Sequence, residues 1–148
     1  MTTTYYSAQV TLYRANTMGP SPSCGPCQCQ YFSYTTPTGD LASGSLLMWG
    51  IMPKGARFLG GKCVYTAGGH AATANIGSYT IAPAPVVISA AKYGALTSMV
   101  AAGHQDFGEL ATTGFGGLET ADVYMGIVTG GAQFDAAGTI AGYFLYLL

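Results

Sequence analysis

Four cysteines, two histidines and six carboxylates are the stock from which any chemistry in this chain would be built. Cys24-Gly25-Pro26-Cys27 is the tetrapeptide of thioredoxin-like redox sites, where the first thiolate is stabilised by the N-terminus of a following helix. Here Gln28-Cys29-Gln30-Tyr31-Phe32-Ser33-Tyr34 follows, with no helical period, so the redox reading lacks the element it needs. A second reading places Cys24, Cys27, Cys29 and the distant Cys63 around one zinc ion. Structural zinc takes two separated ligand pairs, and the tight Cys27-x-Cys29 spacing suits one tetrahedral ion poorly. The simpler expectation is a core thiol at Cys63 and loop thiols elsewhere.

His70 and His104 each follow a glycine, and both are expected in exposed turns. Asp106 lies near His104, but no Gly-x-Ser-x-Gly elbow presents a nucleophile, and the acids and bases are few. Gly114-Phe115-Gly116-Gly117 lacks both the Gly-Lys pair and the helix that phosphate loops require. Eleven tyrosines could stack on sugars, yet tyrosine is equally a strand and interface residue. The residues therefore indicate neither an enzyme nor a cofactor, and a small-molecule ligand is not expected.

The bulk composition agrees. A chain of 148 residues fits one domain, residues 1–148, with a core large enough to fold without staples. Charged residues make up 7%, against roughly 25% in an average soluble domain, so much of the surface must be Tyr, Thr, Ser, Gly and Ala. Five cations scattered from Arg14 to Lys92 form no basic stripe, which argues against direct nucleic-acid binding. The net charge of −1 offers little repulsion between copies, so association is expected. Met1 to Tyr6 does not read as a secretory signal, and Ile76 to Ala91 contains Pro83 and Pro85, which disfavours a membrane span. A cytoplasmic site of synthesis follows, where thiols stay reduced.

The elements that would position these residues are strands. Tyr6, Ala8, Val10 and Leu12 alternate with polar neighbours, and Ala121, Val123, Met125 and Ile127 repeat the pattern. Thr139 to Leu148 is apolar on both faces, which predicts a central strand or an interface. Gln30–Thr36, Ser45–Ile51, Ala56–Thr66, Ala72–Ile81, Val86–Ala90 and Asp106–Thr112 complete a set of eight or nine strands. The pairs Gly68-Gly69, Gly116-Gly117 and Gly130-Gly131 are placed in turns between them. Only Ala90 to Ala102 could hold a turn or two of helix. Residues 16–29, rich in Pro, Gly and Cys, read as a long loop or arm. The fold class is all-β, a sandwich or barrel of about eight strands.

Ile51-Met52-Pro53-Lys54-Gly55-Ala56-Arg57-Phe58-Leu59-Gly60-Gly61 resembles a segment of small virion proteins of tailed bacteriophages, in which a strand leads through a Pro-x-Gly-Ala turn into the next. The C-terminal part of those proteins is matched by Glu119-Thr120-Ala121-Asp122-Val123-Tyr124, Gly130-Gly131 and Gly138-Thr139-Ile140-Ala141-Gly142-Tyr143-Phe144-Leu145-Tyr146. The resemblance spans Leu46 to Leu148 and implies a jelly-roll β-sandwich acting as a capsid cement, decoration or head-fibre base protein. It brings no catalytic residues. The implied partners are the major capsid lattice and further copies of the chain, a homotrimer being favoured, and the implied location is the virion capsid surface. The Cys-rich stretch Ser23 to Gln30 departs from the pattern. Two rival readings remain: a carbohydrate-binding jelly roll, which would expose Trp49 beside tyrosines, and an eight-stranded outer-membrane barrel.

Overall fold

Nested pairing organises the chain. The computed structural model describes residues 4–6, 27–36, 41–66, 72–96, 99, 101–108, 117–131 and 138–148. In these lie nine strands: β1 (Thr4–Tyr6), β2 (Cys27–Thr36), β3 (Leu46–Met52), β4 (Arg57–Tyr65), β5 (Ala72–Thr80), β6 (Val87–Leu96), β7 (Gly103–Phe107), β8 (Val123–Gly131) and β9 (Gly138–Leu147). Strand β2 pairs with β9, β3 with β8, β4 with β7 and β5 with β6, all antiparallel. This is one long hairpin, with its tip between β5 and β6, rolled up so that its halves form two sheets.

The sheets have the orders β1-β3-β8-β5-β6 and β2-β9-β4-β7. The eight strands β2 to β9 make the jelly roll, and β1 is added in parallel on the free edge of β3, with Thr4 opposite Leu46 and Tyr6 opposite Met48. Two open sheets packed face to face replace the barrel alternative.

Side-chain alternation explains the packing. Phe32, Phe58, Cys63, Ile140 and Phe144 from the four-stranded sheet meet Leu47, Trp49, Met52, Ile76, Tyr93, Met125 and Ile127 from the five-stranded one. Aromatic rings run through this core: Trp49 stacks on Phe32 at 4.1 Å, lies 5.6 Å from Phe107, and Phe58 continues to Tyr93 at 4.5 Å. Trp49 is the extra residue of a bulge, since Met48 opposes Gly126 and Gly50 opposes Met125. Its indole points inward with Leu47, two residues before it, and is fully buried; the bulge shifts the phase after it, so that Met52 is the next side chain in the core.

Gln30 ties the sheets together. Its Nε2 donates to the Ile51 carbonyl at 2.7 Å and to the Tyr146 hydroxyl at 3.0 Å, while its Oε1 accepts from the Ile51 amide at 3.1 Å. One side-chain amide thus satisfies both backbone groups of a β3 residue that lies past the end of the β1 ladder.

Several expectations are corrected. Residues Ala90 to Leu96 are strand rather than helix: they belong to β6, and Gly94 has φ +133°, outside the helical range. Cys27 and Cys29 belong to β2, so the loop read over 16–29 ends before Cys27, and residues 16–26 lie outside the described residues. Strand β7 begins at Gly103 rather than Asp106, and Gly130-Gly131 ends β8 instead of forming a turn. In β8 the second face is also covered: Tyr124 is buried with Leu46, Met48 and Tyr79 in a smaller cluster on the other side of the five-stranded sheet. The final strand β9 is central, between β2 and β4, as its two-faced apolarity predicted.

Candidate interaction surface

Among the described residues, the sequence-predicted chemical residues do not converge. Cys27 and Cys29 stand two apart on β2, in register with Leu147 and Leu145, and share the outward face of the four-stranded sheet. Cys63 lies on β4, with β9 between it and β2, and points into the core. One ion therefore cannot collect Cys63 with the β2 thiols, and among the described residues no three His, Cys, Asp or Glu side chains gather as a metal site. Burial pushes the Cys63 thiol up to about 12, leaving it protonated and unreactive at neutral pH. Cys24, His70 and Gly114 to Gly116 fall outside the described residues. Cys27 opens a strand, not a helix, so the dithiol motif lacks the helix N-terminus that a redox centre uses.

His104 is exposed as expected, but on β7 rather than in a turn, paired with Val64. Asp106, two residues on, faces Lys62 at 3.9 Å. Across the outer face of the four-stranded sheet, Tyr31, Tyr143, Lys62 and Asp106 form one row and Ser33, Ala141, Val64 and His104 the next. Tyr31 meets Tyr143 edge to face at 6.2 Å. Trp49 takes no part, being sealed in the core, so the aromatic platform expected of a sugar-binding face is missing its largest ring.

One group of polar residues went unnoticed as a cluster at the sequence level. Glu119 is buried, and its Oε1 accepts from Lys92 Nζ at 2.5 Å and from the Tyr93 hydroxyl. Its backbone completes the attachment: the Gly55 amide donates to the Glu119 carbonyl at 2.8 Å, and the Glu119 amide donates to the Ala56 carbonyl at 2.9 Å. Burial, reinforced by the Glu119 hydrogen bond and charge, holds Tyr93 well above the usual phenol range. The carboxylate is charge-balanced and enclosed. It clamps residues 117–119 between the β3–β4 turn and β6 and leaves no face for a substrate. Lys92-Tyr93 and Glu119 are far apart in sequence, and the fold brings them together by bonding Glu119 to the β3–β4 turn and packing Tyr93 on Phe58 of β4.

What the surface does offer is apolar area. Among the described residues, the exposed large hydrophobic side chains are Tyr31, Val64, Ile81, Val86, Val87, Ile88, Leu118 and Leu148. Tyr31 and Val64 lie on the outer sheet face just described. The other six lie at one end of the sandwich, where β3, β5 and β9 finish and β4, β6 and β8 begin.

No protein-family model matches this chain, and neither does any curated protein. Solved structures do. A chain in the capsid of Ralstonia phage GP4 superposes with a TM-score of 0.74 over 97% of both chains at 19% identity. A chain in the capsid asymmetric unit of cyanophage Pam1 gives a TM-score of 0.67 over 90% of this chain and 95% of its own, at 20% identity. The chain shares its all-β jelly-roll fold with these two phage capsid chains.

Proposed function

We propose that the chain is a non-enzymatic structural protein of a tailed-phage virion that binds the assembled capsid shell as a cement or decoration protein. The carrying observation is the near end-to-end correspondence with two phage capsid chains of similar length. The small matching chain length supports an accessory shell protein, and the low charge with exposed aliphatic side chains supports a role in packing. The partners are the major capsid lattice and other copies, a homotrimer being favoured, without nucleic acid or membrane. The mechanism is mass action: a ligand that binds only the assembled lattice stabilises it by RT ln(1 + [L]/Kd), about 2.7 kcal/mol per site at a hundredfold excess over Kd.

The test is co-sedimentation of purified protein with shells of its own virus prepared without it. The protein should pellet with them, raise their resistance to heat, and run larger than its 15.2 kDa monomer when alone. A monomer that ignores shells and binds glycans on an array would replace this reading with the adhesin one, against which the burial of Trp49 already weighs.

A further inference from the structure

The tip of the rolled hairpin is unusually bare. From Ile81 to Ala91 the chain carries no charge, and three consecutive aliphatic side chains, Val86, Val87 and Ile88, are 64%, 44% and 55% exposed. Neighbours on a strand point to opposite faces, so this stretch is uncovered on both sides. Leu118 and Leu148 extend the same end: Leu118 bridges to Arg57, and Arg57 pairs with Leu147. Among the described residues, the charges at this end are Lys92, tied to Glu119, and Lys54, Arg57 and Asp122 around the β3–β4 turn. The hairpin itself remains neutral.

We infer that this end, centred on Ile81 and Val86 to Ile88, is the docking surface for the capsid shell, seating in an uncharged apolar depression between shell subunits. The inference rests on the shell-binding reading and adds to it the face that makes the contact. Two observations favour the shell over a second copy. Strand β6 is the sheet edge, but its ladder with β5 is interrupted: Ile76 opposes Gly94 and Ser78 opposes Ser89, so Ala90 to Tyr93 bulge out against Gly77 alone. A second shift follows at Ile88, between Ser89 opposite Ser78 and Val87 opposite Tyr79, so only Gly94 to Leu96 keeps unbroken register, and an edge broken twice is a poor template for pairing with another β6. Six side chains roughly half exposed also present on the order of 500 Å² of apolar surface at this end, the size of the largest, often functional, patch of a monomer. That is below the ~800 Å² per partner of a stable protein pair. It is enough where several linked copies engage a repeating surface together, because linkage multiplies weak contacts.

The experiment compares three proteins on shells lacking this chain: the wild type, the double variant V86T/I88T, and the sheet-face control Y31S/V64T. Both variants are first checked for an unchanged circular dichroism spectrum and elution volume. The hairpin variant should bind shells at least tenfold more weakly while the control binds like wild type. Hydroxyl-radical footprinting of the wild type, which needs no variant to fold, should show residues 81–88 protected on shells and unprotected in free protein. Wild-type affinity in the hairpin variant, or no protection of 81–88, overturns the docking surface and leaves shell binding standing. A hairpin variant that elutes as a smaller species assigns the patch to a second copy and overturns the inference as well. Failure of the wild type to bind shells removes both.

Discussion

At the scale of single residues, the polar groups that look reactive are held as ties. Glu119 accepts from Lys92 and Tyr93 inside the sandwich, so removing it strands a buried phenol and a partly buried ammonium. Replacing Glu119 with Ala should cost about 3 kcal/mol, the range for breaking a buried pair from one side, read as a lower urea midpoint with the slope unchanged. Glu119→Gln should cost less, since an amide oxygen still accepts. Gln30→Ala should cost about 2 kcal/mol, because the Ile51 amide and carbonyl both lose their partner. The cysteines divide by face. A maleimide reagent at pH 8 should modify Cys27 and Cys29 in the native protein and reach Cys63 only after unfolding. The sign of the pH dependence follows: Cys63 keeps its proton up to about 12 when folded but loses it near 9.0 when unfolded. Stability from this site is intact below pH 9 and drains away as pH rises from there toward 12. A Cys63→Ala variant should lose less of its melting midpoint between pH 8 and 10.5 than the wild type does.

At the scale of elements, the period of two identified most strands, and the exceptions have local causes. Strands β3, β5 and β9 fall within a residue or two of the ranges read from the sequence, β9 from its apolarity on both faces. The first part of β6 was read as the strand Val86–Ala90, but its second half was hidden by alanine: Ala90-Ala91 favours helix in isolation, and pairing with β5 and burial of Tyr93 against Phe58 make it extended. The change of phase after Trp49, which brings Met52 into the core, was equally hidden, since a bulge shifts the alternation by one and cannot be read from one strand alone. What alternation did not supply was the second covered face of the five-stranded sheet, where Tyr79 and Tyr124 are buried. Glycines on strands have a similar logic. A Cβ at Gly142 would run into the Lys62 carbonyl and the Phe32 ring, both inside the four-stranded sheet's contact with its neighbours. Gly142→Ala should therefore destabilise by roughly 1–3 kcal/mol, as overpacking does, and lower the thermal midpoint by several degrees. Gly44→Ala meets no atom, and its cost should come only from its φ of +84°.

At the scale of the whole molecule, the rolled hairpin decides which surfaces are free. Nested pairing places Cys27 opposite Leu147 and sets β9 between two strands, so the closing strand has no free edge. The tip of the hairpin is a place the roll does not cover from within, and there Ile81 and Val86 to Ile88 stay exposed. Composition pointed toward packing against other proteins, but the surface itself was not legible: it gathers Leu118 and Leu148 from segments that only the β4 and β9 ladders bring to this end. This arrangement fixes how binding should respond to salt. With a net charge of −1 and a neutral tip, shell binding through this end gains little from long-range attraction. Exposed charges are largely screened once the Debye length falls toward 3 Å, near 1 M salt, whereas contact between apolar side chains persists. Affinity for shells should therefore change by less than about threefold between 0.05 and 0.5 M sodium chloride, by co-sedimentation across a concentration series. In sodium sulfate it should rise, because that salt strengthens apolar burial. A steep loss of binding with sodium chloride would mean that charged groups, such as Lys54, Arg57 and Asp122 around the β3–β4 turn, make the contact instead.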